Sequence, residues 1–210
     1  MFITFEGVEG SGKSTQIGFL KEYLIDKGFN VLLTRQPGGS VLGAKIRHLI
    51  LDPEQEDKPS DLAELFLYIA DRAHHVETII KPALEKNTIV LCDRYTDSTI
   101  AYQGYARGGD IAKLSTLNSI ATQDLKPDLT LIMDIDPSMG LVRVKKNRNQ
   151  EVFDRIEAEK IDFHLKVRNG FLQIAEKEPE RVKIIDASKG LEEIKNEVIT
   201  QVKPILNNLK

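Results

Sequence analysis

Cysteine is nearly absent from this chain: Cys92 is the single one in 210 residues. One thiol cannot close an intrachain disulfide, so a small secreted scaffold stapled by disulfides is excluded and a reducing compartment is expected. Its place in the apolar run Thr88-Ile89-Val90-Leu91-Cys92 marks it as a small buried core residue. Basic excess is missing too. Lysine and arginine number 29 against 32 aspartates and glutamates, a formal net charge of −3. Nucleic-acid binders usually carry a basic surplus, so no nucleic-acid partner is expected. A phosphate ligand would have to be caught by local placement of Arg and Lys. No apolar run approaches the roughly 20 residues of a membrane span. No basic leader precedes the motif that begins at Gly7, so no signal peptide is expected, and the location read from this is cytoplasmic. Metal-binding clusters are lacking as well. His74 and His75 are neighbours on a helix and point about 100° apart, and no His or Cys group has zinc spacing.

What is present is ordinary for a globular protein: 41% hydrophobic and 29% charged residues. The length suits one domain over residues 1–210. Short apolar runs at Phe2–Phe5, Val31–Thr34, Ile89–Cys92, Leu129–Ile135 and Val182–Ile185 read as strands. They lack the polar alternation of half-exposed strands, which is how buried parallel strands look. Helical patterns lie between them, at about 13–27, 41–51, 61–86, 98–122 (broken near Gly104–Gly109), 137–147, 156–177 and 190–208. Gly28 fits a helix C′ position, and Asp52–Ser60 reads as a loop. Alternating strands and helices imply an α/β fold with a parallel sheet covered on both faces. Ligands of such folds bind at the carboxyl ends of the strands, here just after Phe5, Thr34, Cys92 and Ile135.

Residues 7–14 read Gly-Val-Glu-Gly-Ser-Gly-Lys-Ser, a G-x-x-x-x-G-K-S run between a strand and a helix. Glycines let the backbone wrap so that several N–H groups face one phosphate, and the helix N-terminus adds partial positive charge. Lys13 would reach the β- and γ-phosphates, and Ser14 would offer a hydroxyl to Mg²⁺. The pattern points to nucleotide phosphate and is silent on the acceptor. The N-K-x-D and D-x-x-G runs of a GTP switch are both missing. Instead, Arg35, Arg72, Arg94, Arg143, Arg148 and Arg155 come from distant segments, several at strand ends. That array suits two phosphorylated ligands meeting in one site, with extra positive charge for the group in transfer. Tyr68 and Arg72 lie one helical turn apart, so one could hold a base and the other its phosphate. Ser98 and Tyr102 have the same spacing. Asp134 and Asp136 end an apolar strand and compete with Asp93 as the Mg²⁺-holding position.

Together these segments resemble bacterial thymidylate kinases. The resemblance runs through Phe5–Thr15, Thr34–Gly39, Leu42-Gly43, Ile46-Arg47, Ala70-Asp71-Arg72 and Asp93-Arg94-Tyr95 with Ser98-Thr99 and Ala101-Tyr102-Gln103. It continues through Pro127–Thr130 and Asp154–Glu157, nearly the whole chain. It implies a P-loop NTPase-type three-layer sandwich with a five-stranded parallel sheet flanked by helices, and a mobile lid at about 143–155. The implied reaction is phosphoryl transfer from ATP to dTMP with Mg²⁺, carried out by a homodimer. Gly7, Val8, Glu9, Gly10, Ser11, Gly12, Lys13, Ser14 and Thr15 would hold the ATP phosphates and Arg143 would lie against adenine. Arg72 and Arg94 would hold the dTMP phosphate and Tyr68 would stack on thymine. Ser98, Thr99 and Gln103 would line the base and sugar pocket, with Tyr102 under the deoxyribose and Glu9 facing the 3′-hydroxyl. Asp93 would hold Mg²⁺. Arg148 would reach the transferring phosphate from the lid, with Lys145 and Lys146 as alternatives. Gln36 stands where the family usually has glutamate, and Tyr68 where it usually has phenylalanine. The apolar faces of the helices at 41–51 and 61–86 are the candidates for a dimer contact.

Overall fold

The protein is described here from a computed structural model covering residues 1–54, 56–147 and 154–207. Five parallel strands form one sheet: β1 (Phe2–Glu6), β2 (Val31–Arg35), β3 (Ile89–Asp93), β4 (Leu129–Asp134) and β5 (Val182–Asp186), in the order β2-β3-β1-β4-β5. Every residue of β1 is buried, as are nearly all of β3 and β4, which is why these three read as unbroken apolar runs. β2 and β5 are the edges. Each exposes an apolar side chain there, Leu33 and Ile184.

Helices flank the sheet. α1 (Lys13–Asp26) packs on β1, β2 and β3 and meets α9 (Leu191–Asn207), which returns along β5; α8 (Ile161–Lys177) covers β4 and β5. Gly28 ends α1 in a left-handed conformation (φ 86°), with Phe29 N–H returning to the Leu24 carbonyl at 3.1 Å. α2 (Val41–Leu51) and α3 (Asp61–His75) begin on the hydroxyl caps Ser40 and Ser60, which take the N–H groups of Gly43 and Ala63. α6 (Ile111–Thr122) starts on Asp110 and α7 is Pro137–Asn147.

Three helical expectations change in detail. The stretch read as one helix over 61–86 is α3, a π-helical turn Val76–Ile80 and a short α4 (Lys81–Glu85). Pro82 lacks the N–H that would return to the preceding turn, and the ladder widens just before it. The stretch from 98 holds a short α5 (Thr96–Thr99) and a second π-helical segment, Ile100–Ala106, before α6. The helix expected from 156 begins at Ile161. Before it the chain closes a reciprocal turn: the Asp154 carboxylate accepts from the N–H groups of Ile156 and Glu157, and the Glu157 carboxylate accepts from Asp154 N–H. Cys92 is buried and unpaired, as its apolar setting predicts. Among the described residues no helix is long and apolar enough to cross a membrane.

Candidate active site

The carboxyl ends of β1, β2 and β3 open into a cleft of about 280 Å³. Its floor is the loop between β1 and α1. Gly10 has φ 70°, and a Cβ there would collide with the backbone of Gly140, so the loop tip is clamped on the first turn of α7. Lys13 folds back over the loop it follows. Its Nζ donates to the carbonyls of Gly7 (3.0 Å) and Val8 (2.9 Å) and to Ser11 Oγ (3.4 Å). Burial and then the nearby Arg94 pull its pKa down to about 8, against the pull of Asp93, Glu9 and Glu6. Ser14 lines the same cleft, Val8 packs into the core beneath it, and Thr15 is exposed.

At the end of β3, Arg94 adopts the left-handed backbone region (φ 69°), uncommon for a residue other than glycine and typical of functional sites. The kink turns its guanidinium across to the loop. It donates to Gly7 O (3.0 Å), Ser98 Oγ (3.3 Å) and Glu9 Oε1 (2.7 Å), and stacks over the Tyr102 ring at 5.1 Å. Tyr102 donates its hydroxyl to the same Glu9 oxygen at 2.7 Å. Burial alone would raise the Glu9 pKa, but Arg94, His164, Lys13 and Tyr102 together hold it well below the usual carboxylate range. Behind them, fully buried Glu6 takes the N–H of Tyr95 (2.7 Å) and the hydroxyl of Ser98 (2.5 Å). Its burial, with Asp97 nearby, raises its pKa to about 7.

Asp93 leaves Oδ1 buried with no hydrogen-bond partner, at the cleft that Ser14 also lines. The two rival carboxylates are committed elsewhere. Asp134 is paired through both oxygens with Arg168 (2.7 and 2.8 Å), and Asp136 caps α7 through Ser138. Arg143 donates to the carbonyl of Ala187 at 3.0 Å, beside the loop that follows β5 rather than in this cleft.

The opposite wall comes from α3. Tyr68 and Arg72 both line it, as their spacing predicts. Burial raises the Tyr68 hydroxyl to about 12, so it stays protonated. Arg72 is 2% exposed. It donates to Gln36 Oε1 (2.9 Å), Thr99 Oγ1 (2.8 Å), Asn118 Oδ1 (2.8 Å) and the Tyr95 carbonyl (2.9 Å). Gln103 lines the cleft with its amide held by the buried carboxylate of Glu64 at 2.9 Å. Ser98 and Tyr102 both line the cleft, as their spacing predicts, and both meet Arg94, while Tyr102 also donates to Glu9.

The cleft thus brings together Glu9, Gly10, Lys13, Ser14, Tyr68, Arg72, Asp93, Arg94, Ser98, Thr99, Tyr102 and Gln103. Arg148 lies outside the described residues, as does part of the 143–155 segment. Arg155, counted in the cationic array, is instead held by Glu64 and by the Ile50 carbonyl (2.8 Å). Arg35, also counted in that array, lines the cleft, as do Arg47 and Asp154, to which sequence reasoning assigned no role. Arg35 sits at a strand's carboxyl end, a signal the strand-end rule carries. Arg47 and Asp154 come from a helix face and a turn and gave no such signal.

Comparison with known proteins agrees with this geometry. The family model for thymidylate kinase matches residues 5–198. A thymidylate kinase of Desulfovibrio desulfuricans is 51% identical over 198 residues, spanning 92% of this chain and 91% of that protein. One from Nitratidesulfovibrio vulgaris is 46% identical over 99% of this chain and 98% of its own length. The crystal structure of thymidylate kinase from Ehrlichia chaffeensis superposes with a TM-score of 0.78 at 39% identity, covering 97% of this chain and 98% of that one. With the strand-end cleft, the glycine-rich loop and these matches across almost its full length, the chain belongs to the thymidylate kinase family.

Proposed function

We propose that this protein transfers the γ-phosphoryl group of ATP to dTMP, releasing ADP and dTDP. The observation that carries the reading is one cleft holding a phosphate loop on one wall and a second, separate arginine, Arg72, on the other. Two cationic stations in one cleft suit two phosphorylated substrates. No side-chain nucleophile is required, because an oxygen of the acceptor phosphate attacks in line. Lys13 leaves its loop carbonyls to meet the donor phosphates, and Arg94 offers donors between loop and acceptor. Arg72 holds the dTMP phosphate, Tyr68 stacks on the base and Thr99 and Gln103 complete the pocket. Tyr102 and Glu9 form the wall at the sugar, where the phenol packed beneath leaves least room for a ribose 2′-hydroxyl. Arg143 flanks the adenine. Arg148 is assigned from the sequence to the phosphate in transfer.

Asp93 Oδ1, buried and unpartnered, and the Ser14 hydroxyl suit Mg²⁺, an ion satisfied by few protein oxygens together with phosphate and water. When bound, it neutralises charge on the donor phosphates. We assign residues 1–210 to one domain with a lid at about 143–155, a cytoplasmic location, and a homodimer. Support for the dimer comes from apolar side chains left exposed on adjoining α2, α3 and α6: Val41 (83%), Leu62 (63%), Phe66 (51%) and Ile120 (70%). Light scattering at micromolar concentration tests it, and a monomer mass overturns it.

The reaction is tested by ADP release with ATP, Mg²⁺ and each nucleoside monophosphate in turn. Strong preference for dTMP, with UMP, CMP and AMP near background, is expected. Turnover of another monophosphate overturns the base assignment, and tight ATP binding with no turnover overturns the kinase reading.

A further inference from the structure

His75 is fully buried at the end of α3, outside the cleft lining, and its two nitrogens are both engaged. Nε2 lies 2.7 Å from Thr34 Oγ1, and Nδ1 lies 3.0 Å from Gln36 Nε2. The other end of the Gln36 amide meets Arg72 Nε at 2.9 Å. An arginine nitrogen can only donate, so the Gln36 oxygen must face it. The Gln36 NH₂ then faces His75 Nδ1, which must accept. Nδ1 is therefore bare, the proton sits on Nε2, and Nε2–H donates to Thr34. Hydrogen-bond inventory alone settles one tautomer of one neutral imidazole.

We propose that His75 is a positioning residue for the acceptor site: as the neutral Nε2–H tautomer it holds the Gln36 amide in the one orientation that presents its carbonyl to Arg72. The inference rests on Arg72 lying in the acceptor pocket. The titratable groups acting on His75 are Arg72 and His74 of its own helix; it meets only neutral Thr34 of β2 and Gln36 just after it, and from the following loop the backbone of Gly39. Burial first, and then Arg72 and His74, push its pKa down to about 4. With an amide at position 36 the pocket therefore keeps its charge unchanged across neutral pH. A carboxylate at 36 could only accept, so it would require the ring proton on Nδ1, and bare Nε2 would then accept from the Thr34 hydroxyl. With that carboxylate ionised and the ring neutral, the Arg72–36–75 group would sum to zero instead of one positive charge.

The test uses the full chain labelled with ¹⁵N-histidine, the His75 signals being assigned by their loss in His75→Asn. Long-range ¹H–¹⁵N correlations should show His75 as the Nε2–H tautomer from pH 5.5 to 8. In Gln36→Glu the ring proton should move to Nδ1. In the wild type, an Nδ1–H tautomer or titration near 6.5 overturns the proposal without touching the kinase assignment. Kinetics give a second arm. His75→Leu removes the acceptor for Gln36 and should raise the KM for dTMP about tenfold, with the KM for ATP unchanged, the scale of one hydrogen bond to a charged group. His75→Asn keeps a carbonyl acceptor near Nδ1 and should stay within about threefold of wild type. Equal KM values in both variants, or both substrates' KM rising together, overturns the proposal. Absence of dTMP turnover in the wild type would instead overturn the proposed function and leave the tautomer result to stand by itself.

Discussion

Among the arginines lining the cleft, Arg94 and Arg72 come from opposite walls, and their surroundings differ in kind. Arg94 is bonded to the Glu9 carboxylate at 2.7 Å, with Asp93 and Glu6 close by. Burial works against its charge, but Tyr102, Glu9, Asp93 and Glu6 outweigh that and raise its pKa further. Arg72 bonds only neutral acceptors, and burial dominates and lowers its pKa. A buried charge without a countercharge is costly, while a paired one anchors structure. Arg94 therefore ties the phosphate loop to the end of β3 in the free protein. Arg72 is held in place by dipoles and keeps its charge for an incoming anion.

Lys13→Ala should have the largest effect, a loss of about 10³-fold or more in kcat, because Lys13 is the cation that meets the donor phosphates. Its melting temperature should stay near that of wild type; retained turnover would remove the phosphate loop from the mechanism. Arg94→Ala should strand Glu9 as an uncompensated buried carboxylate and cost about 3 kcal/mol in urea unfolding. Arg72→Met should cost about 1 kcal/mol or less, since removing an unpaired buried cation offsets the lost hydrogen bonds, yet raise the KM for dTMP at least tenfold. Equal stability losses in the two variants would break the distinction drawn between them.

The pH dependence of stability sharpens it. The Glu6 carboxyl, at about 7 in the fold against an ordinary 4.5, binds its proton more tightly when folded. Its contribution is present at low pH and lost as pH rises from 4.5 through 7. His75, at about 4 against an ordinary 6.5, does the reverse: stability is lost as pH falls from 6.5 toward 4. Glu6→Gln removes the alkaline-side loss. Its stability relative to wild type should climb by about 2 kcal/mol between pH 4.5 and 7 in a series of urea titrations. A difference that stays level across that range would place the Glu6 proton elsewhere.

Much of this was legible in the chain. Central strands announce themselves because both faces are buried, so their residues are apolar without interruption. The phosphate loop is legible because its chemistry is local: glycines, a lysine and a hydroxyl within eight positions, on a strand–helix junction. Asp93, Arg94, Tyr68 and Arg72 were found because strand ends and helical spacing are local rules as well. Glu6 stands just after Phe5, at a strand end, but did not disclose its role, which shows only when Tyr95 and Ser98 are seen bonding it. Nor did Arg155, which reads as one more cation of the array and is in fact bound to Glu64.

The sequence by itself determined the order of elements, the parallel sheet, the phosphate loop and the family. Those depend on patterns spanning a few residues, or on residue types that no other chemistry needs at that spacing. Tertiary structure decided which charges are paired and which are left open. It gave Asp134 to Arg168 and left Asp93 Oδ1 unpartnered; it gave Glu9 to Arg94 and surrounded Arg72 with dipoles. It also set the tautomer of His75, through Thr34 and Gln36, which lie 41 and 39 residues away in the chain. Pairing and protonation depend on distance and desolvation, and both come into being only when segments remote in the chain are packed against one another.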